Sequence, residues 1–205
     1  MDTQVLSSTD PQALGRALAT LQTGGMVAFP TDTVYGLGAL IQLPESIQAL
    51  YAVKGREAVK AIPVLLSSPD ELGWVAMSVS PMARRLADRF WPGPLTLVVP
   101  KHPDLPAELS LHATIGVRMP DHPVALALLR VTGPLAVTSA NRSGESSSVT
   151  AQEVVAQLGG RIELILDGGQ TPGRISSTVV DCSGHVPVIL RQGLISLEDL
   201  IQALT

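Results

Sequence analysis

The sequence predicts an α/β or α+β domain, a sheet flanked by helices. Three observations carry this. Short apolar runs alternate with helical patterns through most of the 205 residues. Hydrophobic residues make up 45% of the chain and aromatics only 3%, so the core must be built from Leu, Val, Ile and Ala. Several apolar runs also lead straight into polar segments, and open α/β sheets bind ligands beyond such strand ends.

Asp10-Pro11 opens a helical pattern that Gly24-Gly25 ends. Met26 to Phe29 is a short strand broken by Pro30, and residues 45–53 form a helix that delivers Lys54 just past its end. Pro63 to Leu66 reads as a buried strand, and Ser80-Pro81 caps a helix running to about Phe90. Trp91-Pro92-Gly93-Pro94 is a rigid turn before the strand Leu95 to Val99. Ile115 to Met119 is a strand, and His122-Pro123 opens a helix to about Arg130. Leu135 to Thr138 is a strand entering a polar loop, Ser139 to Val149, after which Thr150 and Glu153 form a capping box. Leu164 to Leu166, Thr178 to Asp181 and Val188 to Leu190 complete the strands, and Ser196 caps a last helix.

Residues 1–205 contain no internal repeat or dividing linker, so a single domain is expected. The net charge of −4 argues against a general nucleic-acid binder. Cys182 is the only cysteine, which excludes an internal disulfide, and with four scattered histidines it does not suggest a zinc site. The polar first twelve residues lack the pattern of a signal peptide, and no run approaches the ~18 apolar residues of a membrane span. The expected location is cytoplasmic, with no membrane partner. Neither a P-loop, a dinucleotide fingerprint nor a Gly-x-Ser-x-Gly elbow is present.

Four segments carry candidate chemistry. Pro30-Thr31-Asp32-Thr33-Val34-Tyr35-Gly36-Leu37-Gly38 is either a capped turn or a glycine-containing bend presenting two hydroxyls, a carboxylate and a phenol. Lys54-Gly55-Arg56 with Lys60 is either a solvated cluster or a compact anion site, and it holds two of the chain's three lysines. Arg118, at a strand end before Met119-Pro120-Asp121-His122-Pro123, is either a bidentate carboxylate clamp or half of a structural ion pair with a residue such as Asp121. Thr138-Ser139-Ala140-Asn141-Arg142-Ser143-Gly144, followed by Ser146-Ser147-Ser148, is either a flexible loop or a phosphate cradle. His122 is expected to be a structural cap and Cys182 a core residue.

Together these segments, with Trp-Pro-Gly-Pro-Leu-Thr (91–96), Ser-Thr-Val-Val-Asp (177–181) and Leu-Arg-x-Gly (190–193), resemble the YrdC-like threonylcarbamoyl-AMP synthase family. Seven motifs in one order span residues 10–203. The resemblance is to the short, single-domain form. It implies a twisted open mixed sheet flanked by helices, with a large concave, positively charged cleft. It also implies a nucleotidyltransferase reaction in which L-threonine, bicarbonate and ATP give threonylcarbamoyl-AMP and pyrophosphate. A downstream threonylcarbamoyl-transferase complex then modifies tRNA adenosine 37, and weak binding to tRNA or double-stranded RNA is a further implied contact.

Carried over motif by motif, the resemblance implies that Lys54, Arg56, Ser139 and Asn141 surround the reacting phosphates. It places Thr33, Arg118, Val137 and Ser177 on threonine, and Arg56, Lys60, Thr114, Ser139, Ser147 and Arg191 on ATP. Mg2+ is expected to arrive with ATP rather than in a protein cage. Many relatives have a histidine where this chain has Leu65, which removes a polar contact from the expected threonine pocket. Alternative readings are an RNA-binding module or an inactive, regulatory paralogue with the same cleft. A carbamoyl-adenylating module of the hydrogenase-maturation type would need zinc-finger cysteines that this chain lacks.

Overall fold

The computed structural model describes residues 2–55, 57, 60–173 and 175–205. In chain order the elements are β1 (Gln4–Ser7), α1 (Ala13–Gln22), β2 (Val27–Phe29), β3 (Gly36–Leu40), α2 (Pro44–Lys54), β4 (Val64–Leu65), α3 (Leu72–Val75), α4 (Pro81–Phe90), β5 (Leu95–Pro100), β6 (Thr114–Arg118), α5 (Pro123–Thr132), β7 (Leu135–Ser139), α6 (Ala151–Leu158), β8 (Leu164–Asp167), β9 (Thr178–Asp181), β10 (Val188–Arg191) and α7 (Leu197–Leu204). Short 3-10 turns occupy Pro69–Glu71 and Ala107–Leu109.

Among the described residues the strands form one ten-stranded sheet, ordered β1-β8-β2-β3-β7-β4-β6-β5-β9-β10. Parallel and antiparallel pairings are mixed: β1 with β8, β8 with β2, β4 with β6 and β5 with β9 are parallel, and the others are antiparallel. The mixed open sheet flanked by helices is the expected fold class. No helix among the described residues is long and apolar enough to cross a membrane.

Side chains alternate between the two faces of each strand, and the core divides accordingly. Ala28, Val64, Leu66, Leu97, Val117, Ala136, Ile165 and Val180 belong to one large cluster. Val27, Phe29, Leu65, Leu135, Val137, Leu164 and Leu166 belong to a second, on the opposite face. Helices α1, through Ala13, Ala17 and Leu21, and α5, through Ala125, Leu128 and Leu129, pack into the second cluster. Of the described residues of β4, β6, β5 and β9, Leu65 alone belongs to that cluster. The second face is therefore covered over β8, β2 and β3 and left open toward β9.

The structure corrects several boundaries. Residues 10–12 form a turn, with Asp10 Oδ1 accepting from Gln12 N, so α1 starts at Ala13. Lys54 is the last residue of α2, and Gly55 takes the left-handed cap conformation behind it. The expected capping box at α6 is half formed: Thr150 accepts from Glu153 N, but the Glu153 carboxylate accepts from Val149 N. β1 and β3 were not expected. β1 is a mostly exposed edge held by main-chain pairing, so it carries no hydropathy signal. β3 has the glycine-rich sequence GLGAL, which weakens strand propensity. Its Gly36 is required by packing, because a Cβ there would lie 2.8 Å from Val137 Cγ1.

Gly193 faces a harder constraint. A Cβ would sit 2.3 Å from Thr178 N and 2.4 Å from Ser176 O, both backbone atoms. Gly193→Ala is expected to destabilise the fold by about 1–3 kcal/mol, read as a lower urea midpoint at unchanged slope. A midpoint equal to that of the unsubstituted protein contradicts this packing.

Candidate functional site

The uncovered part of the second face carries a cavity of about 300 Å³, at the small end of ligand sites. Its floor is built by strand alternation: Val137 and Ser139 from β7, Leu65 from β4, Gly116 and Arg118 from β6, Thr96 and Val98 from β5, and Val179 from β9. Thr31, Thr33 and Val34 from the loop after β2 and Ser176, Ser177 and Arg191 complete the rim. Among the described lining residues the charged side chains are Arg118 and Arg191, with no carboxylate.

Arg118 ends β6 and is only 7% exposed. Its guanidinium donates from Nε to Gly93 O at 3.0 Å, from Nη1 to Thr33 Oγ1 at 3.1 Å and from Nη2 to Asp32 Oδ1 at 2.5 Å. Its ionic partner is thus Asp32, whereas Asp121 contributes only its backbone N–H, which donates to the same Asp32 Oδ1 at 3.1 Å. Burial pushes the Arg118 guanidinium below its ordinary pKa, Asp32 opposes that shift, and nearby Arg191 adds to it.

At the other side of the cavity Arg191 donates to Ser177 O from Nε at 3.2 Å and from Nη2 at 2.9 Å, and to Ser177 Oγ at 3.2 Å. Ser177 Oγ shares a 2.8 Å hydrogen bond with Thr96 Oγ1. The polar end of the cavity is therefore held by two arginines that each fix a hydroxyl, Thr33 or Ser177.

Lys54 is 4% exposed. Its ammonium donates to the backbone carbonyls of Ser139 and Asn141 and, at 3.4 Å, to Asn141 Oδ1. The Asn141 amide donates to Arg142 O and Glu145 O, both at 2.8 Å. Here Lys54 and Asn141 knit the loop after β7, and Ser139 is the member of that set that lines the cavity. Arg56 lies outside the described residues.

Thr33, Arg118, Val137 and Ser177, expected on threonine, all line this cavity. Of the residues expected on ATP, Ser139 and Arg191 line it too. Thr114 lies on the same face of β6 as Gly116 and Arg118, further along the strand. Lys60 is largely exposed beside Glu57 at 3.8 Å, and Ser147 sits half-buried in the serine loop; neither lines the cavity. Leu65 does line it, beside Arg118 in the β4–β6 register, so this wall is apolar.

Sequence reasoning gave no individual role to Thr96 and read Ser148 only as part of a flexible loop or phosphate cradle. Ser148 is fully buried, donates to Ala140 O at 2.7 Å and accepts, through its carbonyl, from Tyr35 N at 2.9 Å. Its burial within a serine-rich run has no signal in residue type. Tyr35 donates to Gly169 O at 2.7 Å, and burial pushes its phenol up to about 12. Tyr35 thereby braces the segment that follows β8. Cys182 is buried and free, with its thiol pushed up to about 12 by burial, as expected of a core residue. No group of three or more His, Cys, Asp or Glu among the described residues could hold a metal ion.

The family model described as telomere recombination (Sua5/YciO/YrdC) matches residues 19–193. The threonylcarbamoyl-AMP synthase of Bacillus subtilis is 42% identical over 201 residues, 97% of this chain and 58% of that protein. A Mycobacterium tuberculosis relative is 39% identical over 207 residues, 98% of this chain and 95% of that protein. The structure of Pyrococcus abyssi Sua5 complexed with L-threonine superposes with a TM-score of 0.90 at 39% identity, covering 93% of this chain and 56% of that one. The chain thus spans under two thirds of the Bacillus and Pyrococcus relatives and nearly all of the mycobacterial one.

His122 is the N-cap of α5: its Nδ1 accepts from Val124 N at 3.2 Å. Burial lowers its pKa from the ordinary 6.5, against the pull of Asp32 and Asp121. The neutral form is favoured in the folded state, so its stabilisation is complete above about pH 6.5 and is lost as pH falls through the lowered folded value. His122→Asn, which retains a capping acceptor, is expected to flatten the dependence of stability on pH below about 6.5. An unchanged slope in urea unfolding contradicts the assignment. Cys182 is expected to resist a thiol reagent in the native protein and to react fully in urea.

Proposed function

The chain belongs to the Sua5/YciO/YrdC family, and from that membership we propose that it catalyses threonylcarbamoyl-AMP synthesis from L-threonine, bicarbonate and ATP. The observation that carries this is the convergence of Thr33, Arg118, Val137 and Ser177 on one cavity with an arginine-rich polar end. Arg118 has five N–H groups, of which three are engaged. One N–H on each terminal nitrogen is left for the threonine carboxylate. Leu65 and Val137 supply an apolar wall for its methyl group.

The threonine amine condenses with bicarbonate to give a carbamate, a C–N bond forming as water leaves the carbon, and a carbamate oxygen then attacks the ATP α-phosphorus as pyrophosphate leaves. Positioning and charge stabilisation drive the step, without a covalent enzyme intermediate. Ser139, on the cavity floor, and Arg191, on its rim, orient the carbamate and α-phosphate. Lys54 and Asn141 hold the loop that presents Ser139, and with Arg56 the Lys54 charge offsets the departing pyrophosphate. Lys60, Thr114 and Ser147 receive the remainder of ATP outside the 300 Å³ cavity. With no acidic cluster to cage it among the described residues, Mg2+ enters on the phosphates of ATP.

This activity places the protein in the cytoplasm, feeding a transferase complex that modifies tRNA adenosine 37, with at most weak direct contact to tRNA or double-stranded RNA. Pyrophosphate release from ATP by the purified protein is expected to require both L-threonine and bicarbonate and to favour threonine over serine. Release independent of threonine, or none from a folded, ATP-binding protein, contradicts the proposal and turns attention to a regulatory paralogue or RNA-binding module.

A further inference from the structure

We propose that Asp32 is a positioning residue for amino-acid binding, holding the Arg118 fork from behind so that its remaining N–H groups face the cavity. The inference rests on the threonine-binding role given to Arg118 above. Thr31 and Thr33 line the cavity, but Asp32 between them does not. The pair it forms with Arg118 is 11% and 8% exposed.

One oxygen makes its side-chain hydrogen bonds. Asp32 Oδ1 accepts from Arg118 Nη2 and from Asp121 N, tying the loop after β2 to the turn between β6 and α5. Strands β3, β7 and β4 lie between β2 and β6 in the sheet, so this bond reaches across the end of the site. Asp32 Oδ2 is buried with no hydrogen-bond partner. A carboxylate used through one oxygen only, with the other enclosed, fits a residue whose role is the direction it gives its partner.

Without Asp32 the Arg118 side chain would keep its bonds to Gly93 O and Thr33 Oγ1 but lose the contact on Nη2. It would also face Arg191 with no carboxylate in the cavity lining to offset the two like charges. The fork would then be free to rotate, and ordering it would fall to the incoming ligand. The consequence is selective: binding of the amino-acid carboxylate suffers, while ATP, which meets other residues, does not.

The substitutions separate direction from charge. Asp32→Asn can keep the oxygen that accepts from Arg118 and Asp121 and lose the charge, while placing its amide nitrogen in the buried position of Oδ2. Asp32→Ala removes both. L-threonine binding by calorimetry and the KM values for threonine and ATP would be measured for both variants, with thermal unfolding to establish that each is folded. Asp32→Ala is expected to weaken threonine binding by about tenfold or more, with the KM for ATP within about twofold. Asp32→Asn is expected to recover most of that loss. Should Asp32→Ala not fold, Asp32→Glu, which pushes the fork forward by one methylene, is expected to raise the threonine KM alone.

A folded Asp32→Ala variant, or Asp32→Glu in its place, that binds threonine like the unsubstituted protein overturns the inference and leaves the proposed activity standing. So does a parallel rise in both KM values, which marks a merely structural role. An Asp32→Asn variant as weak as Asp32→Ala assigns the effect to charge and overturns positioning. Unsubstituted protein that does not bind threonine overturns the proposed activity, and this inference with it.

Discussion

A guanidinium removed from water must be given acceptors, and around Arg118 two separate segments supply three of them. The turn before β5 gives Gly93 O, and the loop after β2 gives Thr33 Oγ1 and Asp32 Oδ1. A buried charge left unpaired is strongly destabilising, so these segments must assemble together or not at all. The same requirement explains why Thr33 lies at the cavity although its strand β2 is remote from β6 in the sheet. Lys54 imposes a similar condition on the other side: its buried ammonium needs the carbonyls of Ser139 and Asn141, and so fixes the loop that leaves β7.

What makes room for a ligand is an imbalance of helices. Helices α1 and α5 supply the second core cluster, and their packing ends before the strands β6, β5 and β9. On that stretch the outward positions are Gly116, Thr96, Val98 and Val179, small or modest side chains that leave space above the sheet. The opposite positions, such as Leu97, Val117 and Val180, are fully buried in the larger cluster. Stability and binding thus use alternate residues of the same strands.

Much of this was legible in the sequence. Helices α2, α4 and α5 carry proline at the first turn, and apolar runs mark β5, β6 and β7, so their existence follows from local chemistry. The cavity residues Thr33, Arg118, Val137 and Ser177 were reached through motif order. β1 and β3 escaped because an exposed edge strand and a glycine-rich central strand lack the usual pattern. The Arg118–Asp32 pair escaped because the two are 86 residues apart, and Asp121 was nearer in sequence. Lys54 could be read as a candidate cation, but its capture by two carbonyls depends on where β7 ends.

The most direct measurement of the central claim is mass spectrometry of the product formed from ATP, L-threonine and carbon-13 bicarbonate. The account predicts threonylcarbamoyl-AMP carrying one labelled carbon, formed only when all three substrates are present. AMP or threonyl-AMP without labelled carbon, or no product from protein that binds threonine and ATP, would contradict it.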